Sequence, residues 1–364
     1  MRRFVKIGLT LALWAFVAGF VLYFGHRAEV HRSKTTVREL QVVIEDSLRD
    51  ESLVTSALVR SWIARGKIAT VGVPLDQVDL AGIEHVVRQK GFVRSVSAYV
   101  SYDGVLRVEV TQRRPALRLR VDGYDSYVTS DGFVFPAPAL TAVYVPVITG
   151  SYTPPVPAQY VGYVEDYIAS LVEKSEARIV ELQHEKVPLF EKEKEIADSV
   201  RAVRRMLIKK GIFESHDNFD ERVARLRAHK ADLRRKYRYA ERENERRIDA
   251  VTARQEAERE NQKKLYKRYE DFLKLINFVK YIEDDSFWRA EIVQIVAVTI
   301  SNGDVEVELV PRTGDHTVLF GAIEDVEEKF DKLLAFYRNG LGNIGWEEYR
   351  TISVKYKGQV VCRK

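Results

Sequence analysis

The sequence predicts an α+β protein with a single N-terminal transmembrane helix, a β-α-α-β-β module, and a mixed β-domain interrupted by a long helical hairpin. Three observations lead to this prediction. An apolar segment covers residues 4–24, strand-like alternation appears before residue 136 and again after residue 292, and a highly charged segment lies between the two alternating regions. With 364 residues, 46% of them apolar, the chain is long enough for two packed domains.

The apolar segment at residues 4–24 predicts a membrane anchor. It carries one charge, Lys6, and as a helix it would be about 30 Å long, which matches one hydrocarbon core. A cleaved signal peptide is the alternative, but an Ala-x-Ala cleavage site is missing and polar residues follow the apolar segment directly. We therefore expect an uncleaved anchor that follows a short cytoplasmic N-terminus at residues 1–3.

Residues 36–111 predict the small β-α-α-β-β module. Residues 40–44 read as a strand, and residues 55–65 and 79–90 carry apolar side chains at helical spacing. A β-hairpin that turns at Asp103-Gly104 completes the module. The apolar face of its second strand is predicted to contain Leu106, Val108 and Val110.

A basic elbow, Arg113-Arg114-Pro115, follows the hairpin and opens the first part of the β-domain, at residues 112–159. Pro115 has no N–H for a strand ladder, so it belongs at a strand start or a sheet edge. An apolar strand is predicted at residues 116–121, and Ser130-Asp131-Gly132 turns into a second one.

The helical hairpin is predicted at residues 160–282. Residues 222–271 contain 17 basic and 10 acidic residues and neither proline nor glycine. So few apolar residues cannot close a core, which indicates solvated helices with a weak coiled-coil seam. Turn residues occur at 211–218, so we expect an antiparallel fold there, and Pro188 should kink or restart the first arm.

Strand patterns return in the second part of the β-domain, at residues 283–364. A meander is predicted from alternating segments at residues 292–300, 305–310 and 316–320. An amphipathic helix and a last alternating strand at residues 350–356 follow, and few residues remain to add another strand. We therefore expect this last strand to form a sheet edge, whose unpaired backbone groups accept a partner strand.

No motif in the sequence predicts catalysis, a cofactor or a metal site. Gly340-Leu-Gly-Asn-Ile-Gly345 has the spacing of a nucleotide-binding loop, but it follows a helix and precedes a strand, the reverse of the required order. The seven histidines never pair at helical spacing, and one cysteine, Cys362, cannot form a thiolate site. The net charge of +5 is spread along the chain, unlike the clustered basic face of a nucleic-acid-binding protein.

Several of these signals together resemble the bacterial cell-division family FtsQ, also called DivIB, in its long Gram-negative form. The order of hairpin, Arg-x-Pro elbow and Tyr-Val-x-x-Asp-Gly turn carries the resemblance in the first half of the chain. In the second half it rests on Phe287-Trp288, Glu308-Leu-Val-Pro-Arg312, Gly345-Trp346 and Lys355-Tyr356. The helical hairpin has no counterpart in this resemblance.

The resemblance implies a POTRA module at residues 36–111 and an FtsQ-type β-domain after it. It implies a non-enzymatic, single-pass protein of the inner membrane, with its body in the periplasm at the division site. There such a protein holds FtsB- and FtsL-type partners through its β-domain and other divisome proteins through POTRA, and helps to control septal cell-wall synthesis. No cofactor is implied.

The resemblance also places the partner site on the last strand. Lys355-Tyr356 is similar to an Arg-Tyr pair in the family, where the edge strand pairs with FtsB, although Gln359-Val-Val-Cys362 departs from the glycine-rich sequence found there. Tyr356 carries over most directly, and the alternative is that it packs in the core. The predicted partner-binding residues are Ile352, Val354, Lys355 and Tyr356.

Two functions from other classes remain as alternatives. A membrane-fusion adaptor of an efflux or secretion system also combines an anchor, a β-unit, a helical hairpin and a second β-unit. Such adaptors bracket the hairpin with two similar half-lipoyl motifs, and residues 142–150 and 288–298 do not resemble two such halves. An outer-membrane assembly factor with POTRA modules would need a transmembrane barrel, for which the C-terminal strands are too few.

Overall fold

The protein divides into two compact units. A computed structural model describes residues 13–27, 35–45, 53–138, 143–342 and 345–364. Met1–Tyr163 and Leu273–Lys364 form the first unit, and Val164–Phe272 forms the second. The fold is mixed α+β, with a β-rich C-terminal domain interrupted by a long helical insertion.

A helix, α1, covers residues 13–27, and its side chains are exposed. Within the described ranges, no helix combines the length and the apolar character that a membrane crossing requires. Residues 4–12 of the predicted anchor and the predicted cytoplasmic residues 1–3 lie outside the described residues. The anchor at 4–24 therefore stays a prediction.

The N-terminal module has the predicted order β-α-α-β-β. Its elements are β1 (Glu39–Glu45), α2 (Ser56–Arg65), α3 (Leu80–Arg88), β2 (Val93–Val100) and β3 (Val105–Gln112), with a 3₁₀ turn at Leu75–Gln77. Strand β3 is central, antiparallel to β2 and parallel to β1. The Thr55 and Asp79 side chains accept backbone N–H groups at the starts of the two helices, which explains where the helices begin.

The predicted apolar face of β3 is the centre of the module core. Leu106, Val108 and Val110 are all fully buried. The helices pack against this face through Val59, Trp62, Ile63, Ile83 and Val87. The period of two in β3 and the helical spacing in α2 and α3 thus meet in one hydrophobic core.

The β-domain is built on one sheet of ten described strands. The part before the insertion supplies β4 (Pro115–Val121), β5 (Tyr124–Thr129), β6 (Phe133–Pro136), β7 (Val147–Ser151) and β8 (Gly162–Tyr163). The part after it supplies β9 (Ile292–Thr299), β10 (Val305–Pro311), β11 (Thr317–Ala322), β12 (Thr351–Ser353) and β13 (Val361–Arg363). The strand order is β13-β12-β11-β10-β9-β7-β4-β5-β6-β8. The predicted meander β9-β10-β11 and the strand start at Pro115 are confirmed.

Strand β7 joins the two parts of the sheet. It runs parallel to β4 on one side and parallel to β9 on the other. Gly150 in β7 has a φ of +103°, and a Cβ there would lie 2.4 Å from the carbonyl oxygen of Ala297, so glycine is required for the close approach. The sheet is therefore continuous although the chain leaves it for the helical insertion.

Four further helices follow the first part of the sheet. They are α4 (Val164–Arg205), α5 (His216–Asp284), α6 (Ser286–Glu291) and α7 (Val326–Phe336), which continues into a π-helical turn at Tyr337–Leu341. Helices α4 and α5 are antiparallel, because Ser175 contacts Glu258 and Leu189 contacts Asn244. Helix α4 continues through Pro188, so the arm does not restart there, and the alternative of a kink stays a prediction. Asn244 donates to the carbonyl of Leu189 beside the proline, which ties α5 to α4 at this point.

The end of α5 belongs to the first unit and supplies its aromatic core. The Phe278 ring centroid lies 4.9 Å from that of Phe320 on β11 and 5.8 Å from that of Phe330 on α7. The ring centroid of Trp288 in α6 lies 4.7 Å from that of Phe330. These rings fix α7 against the sheet close to β11 and β12.

The basic elbow packs against the β-domain. The Arg113 guanidinium lies 3.3 Å from the centre of the Phe133 ring, a cation–π contact. Phe135 stacks edge-on against Phe92 with 5.6 Å between ring centroids. A Cβ at Gly91 would lie 2.6 Å from the Cβ of Phe135, so this contact requires glycine.

Candidate partner-binding edge of the β-sheet

The C-terminal edge of the sheet is β13. The predicted edge strand is shortened to β12, which pairs in parallel with β11 and antiparallel with β13. The sheet edge therefore lies one strand beyond the position expected from the sequence. Gly358, with a φ of +68°, lies in the turn that brings Val361–Arg363 back along β12.

Two of the four predicted partner-binding residues point into the core. Ile352 and Val354 are fully buried, and the N–H of Val354 donates to the carbonyl of Leu319 on β11 at 3.1 Å. Their side chains present no surface for a partner to contact. Ser353, between them, is buried as well, and Tyr356 is exposed, so burial here does not follow the alternation that the sequence indicates.

Tyr356 is exposed for 54% of its surface. The Lys332 ammonium of α7 donates to the carbonyl of Tyr356 at 2.7 Å and to that of Val354 at 3.4 Å. The backbone at Tyr356 is thus held to α7, while its ring is available to solvent. This arrangement suits an aromatic contact residue, because little further ordering is needed on binding.

The Lys355 side chain extends over β11 and forms a salt bridge inside the sheet. Its Nζ lies 2.5 Å from Oε2 of Glu306 on β10. To reach Glu306 its methylenes pass over Gly321, where a Cβ would lie 2.7 Å from the Lys355 Cγ. Lys355 therefore fixes the segment after β12, and its side chain is about one-third exposed.

The outer side of β13 offers backbone groups to a further strand. Arg350 N–H donates to the carbonyl of Arg363 at 2.8 Å, so the polar groups of Arg363 face β12. Because backbone polar groups alternate in direction along a strand, those of Cys362 face away from β12. Val361, on the same strand, is 38% exposed. The Cys362 thiol is partly buried, and this burial raises its pKa above the usual value.

Family models match two parts of the chain. A model for "FtsQ/DivIB, C-terminal related" matches residues 246–363, and a model for a "POTRA-like domain" matches residues 35–111. The chain is an FtsQ/DivIB-like protein. The first match includes β9–β13, and with them Tyr356 and the edge strand. No curated protein matches the chain.

The edge of this FtsQ/DivIB-like protein is positively charged. Residues 350–364 contain the cations Arg350, Lys355, Lys357, Arg363 and Lys364 and no carboxylate side chain. Lys364 pairs with Glu348, as Lys355 does with Glu306. The remaining cations favour a partner segment that carries acidic residues. Within the described residues, no cluster of His, Cys, Asp and Glu side chains is suited to a metal ion.

Sequence reasoning missed three features of this edge: β13, and the contacts of Lys332 and Glu306. A signal for β13 was present, since Gly358 separates two short extended segments. No local signal pointed to Lys332 or Glu306, because each reaches its partner through the tertiary fold, across 24 and 49 positions of sequence.

Proposed function

We propose that this protein is a non-enzymatic scaffold of the cell-division machinery that holds FtsB- and FtsL-type partners on the C-terminal edge of its β-domain. The family matches suggest a cell-division scaffold in general terms. The observation that supports the specific site is that β13, the outer strand, lies inside the matched region beside the exposed Tyr356.

In this proposal a partner strand adds to β13. The backbone groups of Cys362 supply hydrogen bonds, Tyr356 is the aromatic anchor, and Lys357 and Arg363 attract acidic residues of the partner. Ile352 and Val354 act only by supporting the sheet. Lys355 contributes its partly exposed side chain while it pairs with Glu306.

The proposal includes the predicted topology. The segment at residues 4–24 would anchor the protein in the inner membrane, with the body in the periplasm and the POTRA module free to contact other divisome proteins. A fluorescent fusion should then concentrate at mid-cell in dividing cells. The alternative of a membrane-fusion adaptor receives no support from the family matches.

Tyr356→Ala tests the partner site. If Tyr356 is the anchor, the change should weaken binding of the organism's FtsB-type protein by about 2 kcal/mol, or about 30-fold. Calorimetric titration of the purified full-length proteins gives the affinity, and thermal unfolding of each variant gives the stability.

Tyr144→Ala is the matched control, because Tyr144 is also a tyrosine of the first unit and is 84% exposed. It should leave the affinity unchanged. Equal affinities for the Tyr356→Ala variant and the unmodified protein, or a loss that only follows lost thermal stability, would place the partner elsewhere.

A further inference from the structure

The end of the helical hairpin exposes large apolar side chains. We call residues 204–215, which include the end of α4 and its connection to α5, the hairpin tip. Leu207, Ile212 and Phe213 are 85%, 95% and 100% exposed. Three large apolar side chains exposed this fully on one short segment differ from the isolated apolar residues of ordinary surfaces, and indicate a contact site.

The hairpin tip has a defined conformation. The Lys230 ammonium of α5 donates to the carbonyls of Arg204 and Met206, at 3.3 and 2.9 Å. The Glu214 carboxylate accepts the N–H of Gly211 at 2.9 Å and pairs with Arg222 at 2.7 Å. The polar groups thus hold the backbone of the tip, while its apolar side chains are left to solvent.

The charge of the hairpin tip is strongly positive. It contains Arg204, Arg205, Lys209 and Lys210, and its single carboxylate is Glu214. Glu214 accepts from Gly211, pairs with Arg222 and also feels the charge of Lys210, so one carboxylate is shared among several cations and the tip keeps a positive charge. Among the described residues, neither Lys209 nor Lys210 takes part in a salt bridge, and both are exposed.

We propose that the hairpin tip docks on the surface of a bilayer that contains anionic phospholipids. Leu207, Ile212 and Phe213 would enter the boundary between headgroups and acyl chains, while Lys209 and Lys210 contact the phosphates. Apolar side chains suit the start of the acyl chains, and the adjacent cations suit the phosphates of the headgroups. Each cation close to an anionic membrane strengthens binding about fivefold. The four cations of the tip together therefore strengthen membrane binding much more than one cation would.

A fluorescent probe at the tip tests this proposal in the full-length chain. Cys362→Ser removes the native thiol, Ile212→Cys provides a site for an environment-sensitive dye, and the protein is reconstituted into vesicles. In phosphatidylcholine vesicles with about one-third phosphatidylglycerol, the emission should shift to the blue and be quenched by spin-labelled lipid. In pure phosphatidylcholine both effects should be largely lost.

Two variants separate tip docking from other causes. A dye at Tyr239→Cys, on α5 where the native side chain is 73% exposed, should report water in both vesicle types. Lys209→Glu with Lys210→Glu, in the Ile212→Cys background, should reduce the ratio of lipid-bound to free tip at least about 20-fold. Thermal unfolding of this variant should match that of its parent.

The proposal is overturned if the Ile212→Cys probe reports water in anionic vesicles. It is also overturned if the blue shift develops with rising protein concentration in detergent without lipid, because the tip would then bind a second copy of the protein. Insensitivity of the signal to the Lys209→Glu, Lys210→Glu change would likewise exclude an anionic surface.

Discussion

His316 is a buried titratable residue that links pH to stability. It is 2% exposed, its Nε2 lies 2.9 Å from the hydroxyl oxygen of Tyr337, and its Nδ1 has no hydrogen-bond partner among the described groups. Burial lowers the pKa of His316 below its usual value of 6.5, an effect that the charge of Glu291 only partly offsets. The folded protein therefore favours the neutral ring.

We expect stability to fall as the pH drops below about 6.5, because the unfolded chain then binds a proton that the folded His316 resists. The loss contributed by this group should approach about 1.4 kcal/mol per pH unit until its folded pKa is reached. In the His316→Asn variant the unfolding free energy should depend less steeply on pH as the pH is lowered from 7. Urea denaturation at a series of pH values measures this dependence.

His229→Asn is the control, since His229 lies on the exposed surface of α5. It should leave the slope of stability against pH unchanged. An equal slope in the His316→Asn variant and the unmodified protein would show that His316 does not supply this pH dependence.

At the scale of the element, a substitution in β13 can test partner binding separately from the stability of the sheet. The N–H of Cys362 faces away from β12, so Cys362→Pro removes a hydrogen-bond donor that the fold does not use. This variant should bind the FtsB-type partner at least about tenfold more weakly and unfold at nearly the same temperature. Calorimetric titration and a thermal melt on the same sample measure both.

Val354→Pro is the comparison, because the Val354 N–H bonds to Leu319 inside the sheet. Affinity and melting temperature should both fall in this variant. If Cys362→Pro binds the partner with unchanged affinity, the partner does not add a strand to β13.

At the scale of the whole molecule, the first unit contains a core that does not depend on the body of the helical hairpin. Phe278, Phe320 and Phe330 all lie within Leu273–Lys364. Ser175 and Glu258 are in contact, with 3.0 Å between Oγ and Oε2, so the chain can be closed between them. Long insertions cost little loop entropy when their ends are close.

Replacing residues 176–257 by a short Gly-Ser linker should therefore change the unfolding free energy of the first unit by no more than about 1 kcal/mol. Phe278→Ala in the full chain should instead cost about 3–5 kcal/mol, because it leaves a cavity in the aromatic core. Urea denaturation followed by tryptophan fluorescence compares the two. Loss of a cooperative transition in the shortened protein would make the hairpin part of that core.

The sequence by itself determined the elements whose signals are local. Alternation around Asp103-Gly104 and in residues 292–300 and 305–310 was sufficient for two β-hairpins, and Pro115 was sufficient for a strand start, because side-chain direction and backbone donors depend on neighbouring residues. The highly charged segment without proline or glycine was enough to predict the long helices. The motifs at the elbow and the C-terminus supported the FtsQ/DivIB resemblance, which the family matches confirm.

Tertiary structure alone decided which strand is the edge and which face is accessible. Strand β7 joins two parts of a sheet that the insertion separates in sequence, and β13 covers β12, because each strand pairs with whichever strand the fold brings beside it. Ile352 and Val354 are buried while Tyr356 is exposed, because β12 ends at Ser353 and the chain leaves the regular strand before it reaches Tyr356. These outcomes depend on long-range contacts, such as Lys332 with Tyr356, that leave no periodic pattern in the chain.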